Sequence, residues 1–567
     1  MSNYLRILVK KSIIIKHIFL GLVCIFLTAC QTNKNIGKEK FSNTLKIQLS
    51  DRPNILWLVA EDMGPYIASF GDSTIQTPNL SRLANEGVRY QNLFSPAGVC
   101  APSRAAIATG MYPTSIGAGH MRTKSNTVLT GLPSYEAVPP VEVKMISELL
   151  RINGYYCSNN SKEDYQFKAP ITAWDESSSR AHWRNRAMGQ KFFAVFNFNE
   201  THESGLFEPY ERTEIIPKGT KFKVPPYLPD NEIIQRDLRK MYNNIALMDK
   251  KVGVILNQLE KDGLLENTLI FFYGDHGGPL PRQKRLIYDS GLNTPLIIRY
   301  PNQQNAGSWD RQLISFVDFA PTLLSLIGIT PPKHMQGQAF LGKNKAKDKR
   351  TFIHGAVDRL DGITDAIRAV RDEQFKYIRN YRPVQGYYLP IKYREKIPTM
   401  QELLRLKDER KLNDIQAQWF RENKAPEELF DCKADPHELN NLASDPAYKE
   451  KLIQLRSEMN LWIEEIDDRP NLPEIELITK LWNGANTKPV TTKPIINSKY
   501  GKIYISCQTK GASLGYKIIE RDGVKPKAWS IYQKPFIVSE ESTIYVQAHR
   551  IGFKPSVMIE KTFVNRN

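Results

Sequence analysis

The stretch NILWLVA, residues 54–60, is apolar almost throughout and stops abruptly at the acidic pair Glu61-Asp62. A short run with no polar face reads as a strand buried on both sides, the kind found in parallel sheets covered by helices. Phe192 to Phe198 (FFAVFNF) is a second such run, followed by Asn199-Glu200-Thr201-His202-Glu203. Thr268 to Tyr273 (TLIFFY) is a third, followed by Gly274-Asp275-His276-Gly277-Gly278. Between them the periodicity turns helical: from Ile233 to Leu259, residues Ile234, Leu238, Tyr242, Ile245 and Met248 share one face. Strands alternating with helices predict an α/β fold built on a doubly wound, mostly parallel sheet. Ligands of such sheets collect at the carboxyl ends of the strands. Glu61, Asp62, Asp275 and His276 are therefore candidate metal ligands, although acidic residues after strands also serve simply as caps and turn formers.

The first thirty residues suggest where the chain works. Basic Arg6, Lys10, Lys11 and Lys16 precede an apolar run from Ile18 to Leu27, which ends in Leu27-Thr28-Ala29-Cys30. This pattern predicts a bacterial lipoprotein signal over 1–30, with Cys30 lipidated and the protein anchored in the cell envelope. The apolar run is well short of the roughly 20 residues a spanning helix needs. Residues 31–50, rich in Asn, Lys and Ser, read as a flexible tether. With 567 residues, 41% of them hydrophobic, the remainder can fill two or three domains. The net charge of +18 suits a polyanionic partner. No nucleic-acid motif is present, so an acidic polysaccharide fits better than nucleic acid.

Six cysteines are distributed without metal-site or disulfide-framework spacing. Cys24 and Cys30 belong to the signal, leaving Cys100, Cys157, Cys432 and Cys507, with one incidental disulfide still open. Cys100 differs from the rest in its neighbours, Cys100-Ala101-Pro102-Ser103-Arg104, followed by Thr109-Gly110. This string resembles the signature of the type I sulfatases, members of the alkaline phosphatase superfamily. The resemblance spans roughly residues 51 to 465 and includes the late stretch Glu428-Leu429-Phe430-Asp431 to Asn441-Leu442. It divides the chain into a catalytic domain over 51–345 and a smaller C-terminal α+β subdomain over 346–467.

The resemblance implies that a maturation enzyme converts Cys100 to formylglycine. Once hydrated, that aldehyde carries two hydroxyls on one carbon: one attacks sulfur and the other later expels sulfate, which serine could not do. It also implies a divalent cation held by Glu61, Asp62, Asp275, His276 and the residue at Cys100, calcium or else magnesium given the oxygen-rich set. Two departures stand out. Glu61 replaces the usual aspartate, and His276 replaces the usual asparagine with a softer ligand. Arg104 would keep the nucleophile's surroundings electropositive. Lys162 falls at a sulfate-binding position, and Lys284 is a second such candidate beside Arg282 and Arg285. Asp164 stands where the family often has histidine and is a candidate substrate contact, which moves the expected leaving-group acid to His202. His120 and Arg122, in GAGHMRT, are further candidate substrate contacts.

The sequences around His202 and Lys162 resemble a subgroup containing heparan N-sulfatase-like proteins and bacterial polysaccharide sulfatases. The expected substrate is a sulfated polysaccharide or its oligosaccharides, with an algal polymer such as ulvan favoured. Two other readings remain open: a phosphodiesterase or phosphonate hydrolase of the same superfamily, and a catalytically silent glycan-binding lipoprotein. Residues 468–494, with Pro470, Pro473 and Pro489, read as a linker. Strand-like alternation beyond it, at Ile503 to Cys507, Tyr516 to Ile519 and Thr543 to Ala548, predicts a small all-β sandwich over 495–567. This last segment resembles the fibronectin-like module of chitobiases.

Overall fold

A computed structural model of the protein describes residues 52–520, 523–524, 526–538 and 541–563. The expected signal, Cys30 and the tether lie outside the described residues. Among those described, no helix is long and apolar enough to cross a membrane.

The core is an eight-stranded sheet in the order β4-β3-β5-β1-β6-β7-β2-β8. Its strands are β1 (Asn54–Ala60), β2 (Val88–Phe94), β3 (Tyr156–Asn160), β4 (Glu176–Ser177), β5 (Phe192–Phe198), β6 (Thr268–Gly274), β7 (Asn293–Arg299) and β8 (Ser308–Ser315). From β4 through β6 every neighbour is parallel, and β7 runs against both β6 and β2. The sheet is thus mixed and mostly parallel. The apolar runs form its centre, with β1 between β5 and β6.

Strand alternation explains why those runs have no polar face. Leu56, Leu58, Phe192, Phe196, Ile270 and Phe272 point to one side, where they meet Ile234, Leu238 and Ile245 of the helix Glu232–Lys261. Ile55, Trp57, Val59, Phe193, Phe271 and Tyr273 point to the other and meet Phe319 and Leu323 of the helix Phe319–Leu326. Both faces are sealed by helices, so nearly every position is apolar.

The C-terminal subdomain is an antiparallel sheet, β12-β11-β10-β9, of Ile353–Val357 (β9), Ile367–Arg371 (β10), Phe375–Asn380 (β11) and Glu427–Asp431 (β12). Its Val370, Tyr377 and Leu429 pack on Leu455, Met459 and Trp462 of the helix Lys449–Glu465, and Ala106 joins the same cluster. Ala106 comes from the helix that carries Cys100, so the subdomain shares a core with the catalytic domain.

The segment read as a linker is ordered. Residues Glu474–Leu481 form a helix, with Pro473 at its N-cap, where a missing N–H costs nothing. Ile478 and Trp482 are buried against Tyr135, and Arg359 forms a two-pronged pair with Glu474 at 2.6 and 2.9 Å. The prolines thus start a docked helix and do not mark a free connection. Beyond it lie two antiparallel sheets of three and four strands, closed around Ile496, Ile503, Ile505, Ile544 and Val546. The described cysteines, Cys100, Cys157, Cys432 and Cys507, are all unpaired.

Candidate active site

Strand register builds the site. Ala60 of β1 lies opposite Phe198 of β5 on one side and Gly274 of β6 on the other. The next residues of all three strands therefore emerge together at the carboxyl end of the sheet: Glu61-Asp62, Asn199 to Glu203, and Asp275-His276. Gly274 is needed there, because a Cβ would sit 2.4 Å from the Met63 carbonyl oxygen and 2.5 Å from Thr294 Oγ1.

Cys100 arrives from a different element. It begins the helix Cys100–Thr109, all of whose residues are buried. The small side chains of Ala101, Ala105, Ala106 and Ala108 let this helix enter the core, and its positive end faces the strand termini. Ser103 donates a hydrogen bond to the Asp275 carbonyl at 2.5 Å, locking helix to strand end.

Cys100 Sγ lies 3.3 Å from His276 Nε2 and 3.6 Å from Asp62 Oδ1. His276 Nε2 lies 3.0 Å from Asp62 Oδ1 and 3.7 Å from Asp275 Oδ1. All four residues are at most 2% exposed. Glu61 is placed differently from the other expected ligands: its carboxylate groups with Cys100 and His202 and pairs with Lys162 Nζ at 2.6 Å.

Lys284, Arg282 and Arg285 compete for one role in the sequence, and the geometry separates them. Lys284 Nζ reaches Asp62 Oδ2 at 2.6 Å, Glu203 Oε1 at 3.0 Å and His202 Nε2 at 3.2 Å. Arg282 donates to the carbonyls of His437 and Glu438, both at 2.9 Å, and so ties the subdomain down. Arg285 makes a two-pronged pair with Glu203 at 2.6 and 2.7 Å.

Arg104 acts mainly on a neighbour. Its Nε donates to Asp275 Oδ2 at 2.9 Å and its Nη1 to Asn197 Oδ1 at 2.7 Å, while Nη2 is buried without a partner among the described residues. Burial pushes the Cys100 thiol up, but the charges of Lys162 and Lys284 bring it down to about 7. The electropositive setting expected of Arg104 is thus supplied chiefly by the two lysines.

His202 is half-buried, with Nδ1 2.9 Å from Ser204 Oγ. Burial pulls its pKa down, yet the Asp62 carboxylate holds it above the ordinary imidazole range. Asp164 makes no hydrogen bond to the cluster among the described residues. Arg122 is exposed and lies within electrostatic reach of Tyr393, as do Glu203 and Lys284. His120 is held by the later part of the chain: its Nδ1 accepts from the Arg359 amide at 3.1 Å and faces Glu474 at 3.9 Å.

Residues 53–172 and 178–329 match the Sulfatase family model, and residues 275–422 match the model described as N-sulphoglucosamine sulphohydrolase, C-terminal. A protein of Formosa agariphila named ulvan-active sulfatase is 60% identical over 578 aligned positions, covering 96% of this chain and 97% of that one. This chain belongs to the sulfatase family. Human N-sulphoglucosamine sulphohydrolase is 24% identical, covering 73% of the chain and 90% of its own length. Among solved structures, BT4656 in complex with its substrate D-glucosamine-2-N,6-O-disulfate has the same fold, with a TM-score of 0.53 at 21% identity over 75% of this chain and 99% of that one. The structure described as BT1596, a 2-O GAG sulfatase, gives 0.54 at 17% identity over 74% and 93%.

Family membership makes this chain an enzyme, a sulfatase, and implies a formylglycine and a divalent metal. The donors fit a cation. Burial pulls His276 down, but Asp275, Cys100 and Asp62 together push it up to about 10, so negative charge gathers around its ring. His276 Nδ1 lies 3.1 Å from the Gly277 carbonyl, and a proton held there would leave Nε2 facing the carboxylates as a ligand. Asp62 is kept well below the usual carboxylate range: burial alone would raise it, and Lys284 and the two histidines reverse that.

Sequence reasoning missed Glu203 and Asn197. Asn197 had a signal, being the polar residue inside FFAVFNF; Glu203 was one acid among several after β5. Replacing Glu203 with glutamine would strand the buried guanidinium of Arg285. The expected cost is about 3–5 kcal/mol of unfolding free energy, read from urea denaturation midpoints.

Proposed function

We propose that the enzyme hydrolyses sulfate esters of an ulvan-type algal polysaccharide or its oligosaccharides, with a formylglycine made from Cys100 as the nucleophile. The observation that carries this reading is the helix start of the Cys-x-Pro-x-Arg string, set against Asp62 and His276 and flanked by two lysines. The 60% identical relative, named for activity on ulvan, supports the choice of polymer.

In this reading Lys162 and Lys284 both hold the sulfate oxygens. His202, on the half-open side, donates a proton to the departing sugar oxygen, and its raised pKa suits that task. Asp62, Asp275 and His276 hold the cation, with Cys100 adjoining; Glu61, paired to Lys162, orients that lysine or closes the coordination. A divalent ion bound there neutralises charge on the sulfate and favours ionisation of the nucleophile. Calcium is the ion of choice, because it tolerates irregular coordination by donors from separate elements better than magnesium does. Chelation with EDTA is expected to abolish turnover, and calcium to restore it more fully than magnesium.

The protein is a lipoprotein of the cell envelope, anchored through Cys30 and matured by a formylglycine-generating enzyme of its host. The lipoprotein-type sequence ending at Cys30 supports the anchor. The deciding experiment is sulfate release from ulvan, a sulfated glycosaminoglycan and an aryl phosphate diester, using enzyme whose Cys100 peptide has been checked by mass spectrometry. Release from ulvan in preference to the others is expected. Faster turnover of the diester would overturn the assignment.

A further inference from the structure

A cleft of about 990 Å³ is lined by neither Cys100 nor Lys162, Lys284 or His202. Its volume is at the upper end of the roughly 300–1,000 Å³ usual for ligand sites. One wall is the catalytic-domain segment that includes His120, Leu129 and Val141; the others are the C-terminal subdomain, through Arg359 and Arg368, the helix Glu474–Leu481, and the C-terminal sandwich, through Lys510 and Arg550.

The sandwich is fixed in place here. Gly511, at φ 73°, approaches so closely that a Cβ would sit 2.6 Å from the Val141 carbonyl. Lys144 Nζ donates to the Gly511 carbonyl at 2.8 Å and to Ser513 Oγ at 3.0 Å. The cleft is therefore a built feature of the joined domains.

Its charges are unevenly satisfied. Arg359 and Arg368 are paired with Glu474, Asp358 and Asp468. Arg550 has no carboxylate partner among the described residues, although it is only 3% exposed. It donates through Nη2 to the Pro139 carbonyl, and Nη1 has no partner among the described residues. Burial pulls its pKa down, with the Glu142 charge in opposition. Lys510, on the same wall, is exposed and unpaired among the described residues. A guanidinium buried without a counter-charge is costly unless an anion completes it.

One short stretch of chain links the cleft to the reaction centre. His120 lines it, while Arg122, two residues on, lies within electrostatic reach of Tyr393, which also feels Glu203 and Lys284 of the catalytic pocket. Leu129, 64% exposed, and Ile475, 49% exposed, offer apolar ledges to the carbon faces of sugar rings. We propose that this cleft is a non-catalytic subsite for an anionic sugar, a uronate or a second sulfate ester, of the polysaccharide whose sulfate is being cleaved. Arg550 and Lys510 are its anion-binding groups. The proposal rests on the reading of the enzyme as a polysaccharide sulfatase.

The test is binding of ulvan by the full chain carrying Cys100→Ala, measured by calorimetry, with and without Lys510→Glu or Arg550→Met. Each added substitution is expected to weaken polymer binding about tenfold, the loss of one charge-assisted contact. In the enzyme with Cys100 intact, Lys510→Glu should raise KM for the polymer more than it raises KM for a sulfated disaccharide. Unaltered polymer binding in the Lys510→Glu protein, which keeps the buried arginine and should fold normally, overturns the subsite. So does equal binding of neutral dextran. If the enzyme with Cys100 intact releases no sulfate from either substrate, the proposed function fails instead, and the binding measurement still decides the cleft.

Discussion

Replacing Cys100 with alanine is expected to reduce sulfate release by at least about 10⁴-fold, because the nucleophile is removed outright. The fold should survive. Cys100 is a small side chain at the first position of a helix, 2% exposed, and alanine suits that helix while leaving only a sulfur-sized gap. Circular dichroism and the thermal midpoint should therefore stay close to wild type while ion chromatography finds no released sulfate. Serine at the same place separates attack from turnover. Its hydroxyl occupies the position flanked by Lys162 and Lys284 and can accept the sulfuryl group, but it lacks the second hydroxyl needed to expel it. The expected product is a stable sulfated serine, visible as a mass gain on the peptide containing residue 100. Multiple turnovers by Cys100→Ser would sink the formylglycine mechanism.

The centre of the fold was legible because its strands carry an unambiguous signal. β1, β5 and β6 are apolar on both faces, since helices cover both, and their ends mark where Asp62, Asp275 and His276 emerge. β2, with the sequence VRYQNLF, mixes polar and apolar positions, and its register shifts against both neighbours, so no clean period exists to read. The reversal at β7 is likewise hidden from composition. It follows from the connection after β6, whose only helix, Asp289–Leu292, is too short to cross over, so the chain returns antiparallel.

Contacts distant in sequence were the least readable. Arg104 reaches Asn197 across 93 positions and Arg285 reaches Glu203 across 82, pairings that only the folded sheet brings about. The prolines of 468–494 signalled a break in structure, and their context made them the start of a helix held by Arg359 and Tyr135. Glu61 illustrates the same limit. It is adjacent to Asp62 in sequence, yet one residue of chain turns it towards Lys162 and away from His276.

Lys284→Met should lower both stability and rate, and the two losses have different origins. Lys284 is 2% exposed, and its ammonium stands between Asp62 and Glu203. Burial pushes its pKa down, but Asp62, Cys100 and Glu203 hold it above the usual lysine range, so it is charged at any working pH. Glu203 keeps Arg285 after the substitution, whereas Asp62 loses its nearest cation; breaking a buried pair of this kind costs about 3–5 kcal/mol. Removing a donor aimed at developing sulfate charge should in addition lower kcat by about 10²–10³-fold. Lys162→Met provides the contrast. Its side chain is 21% exposed, so its pair with Glu61 is partly screened and the stability loss should be well below that of Lys284→Met, while kcat still falls. Calcium offers a second discrimination, because a divalent ion beside Asp62 replaces the missing positive charge. The thermal midpoint should therefore rise more on adding calcium in Lys284→Met than in wild type. A Lys284→Met enzyme that kept wild-type kcat would show the lysine to be a structural counter-ion alone and leave Lys162 as the residue that grips sulfate.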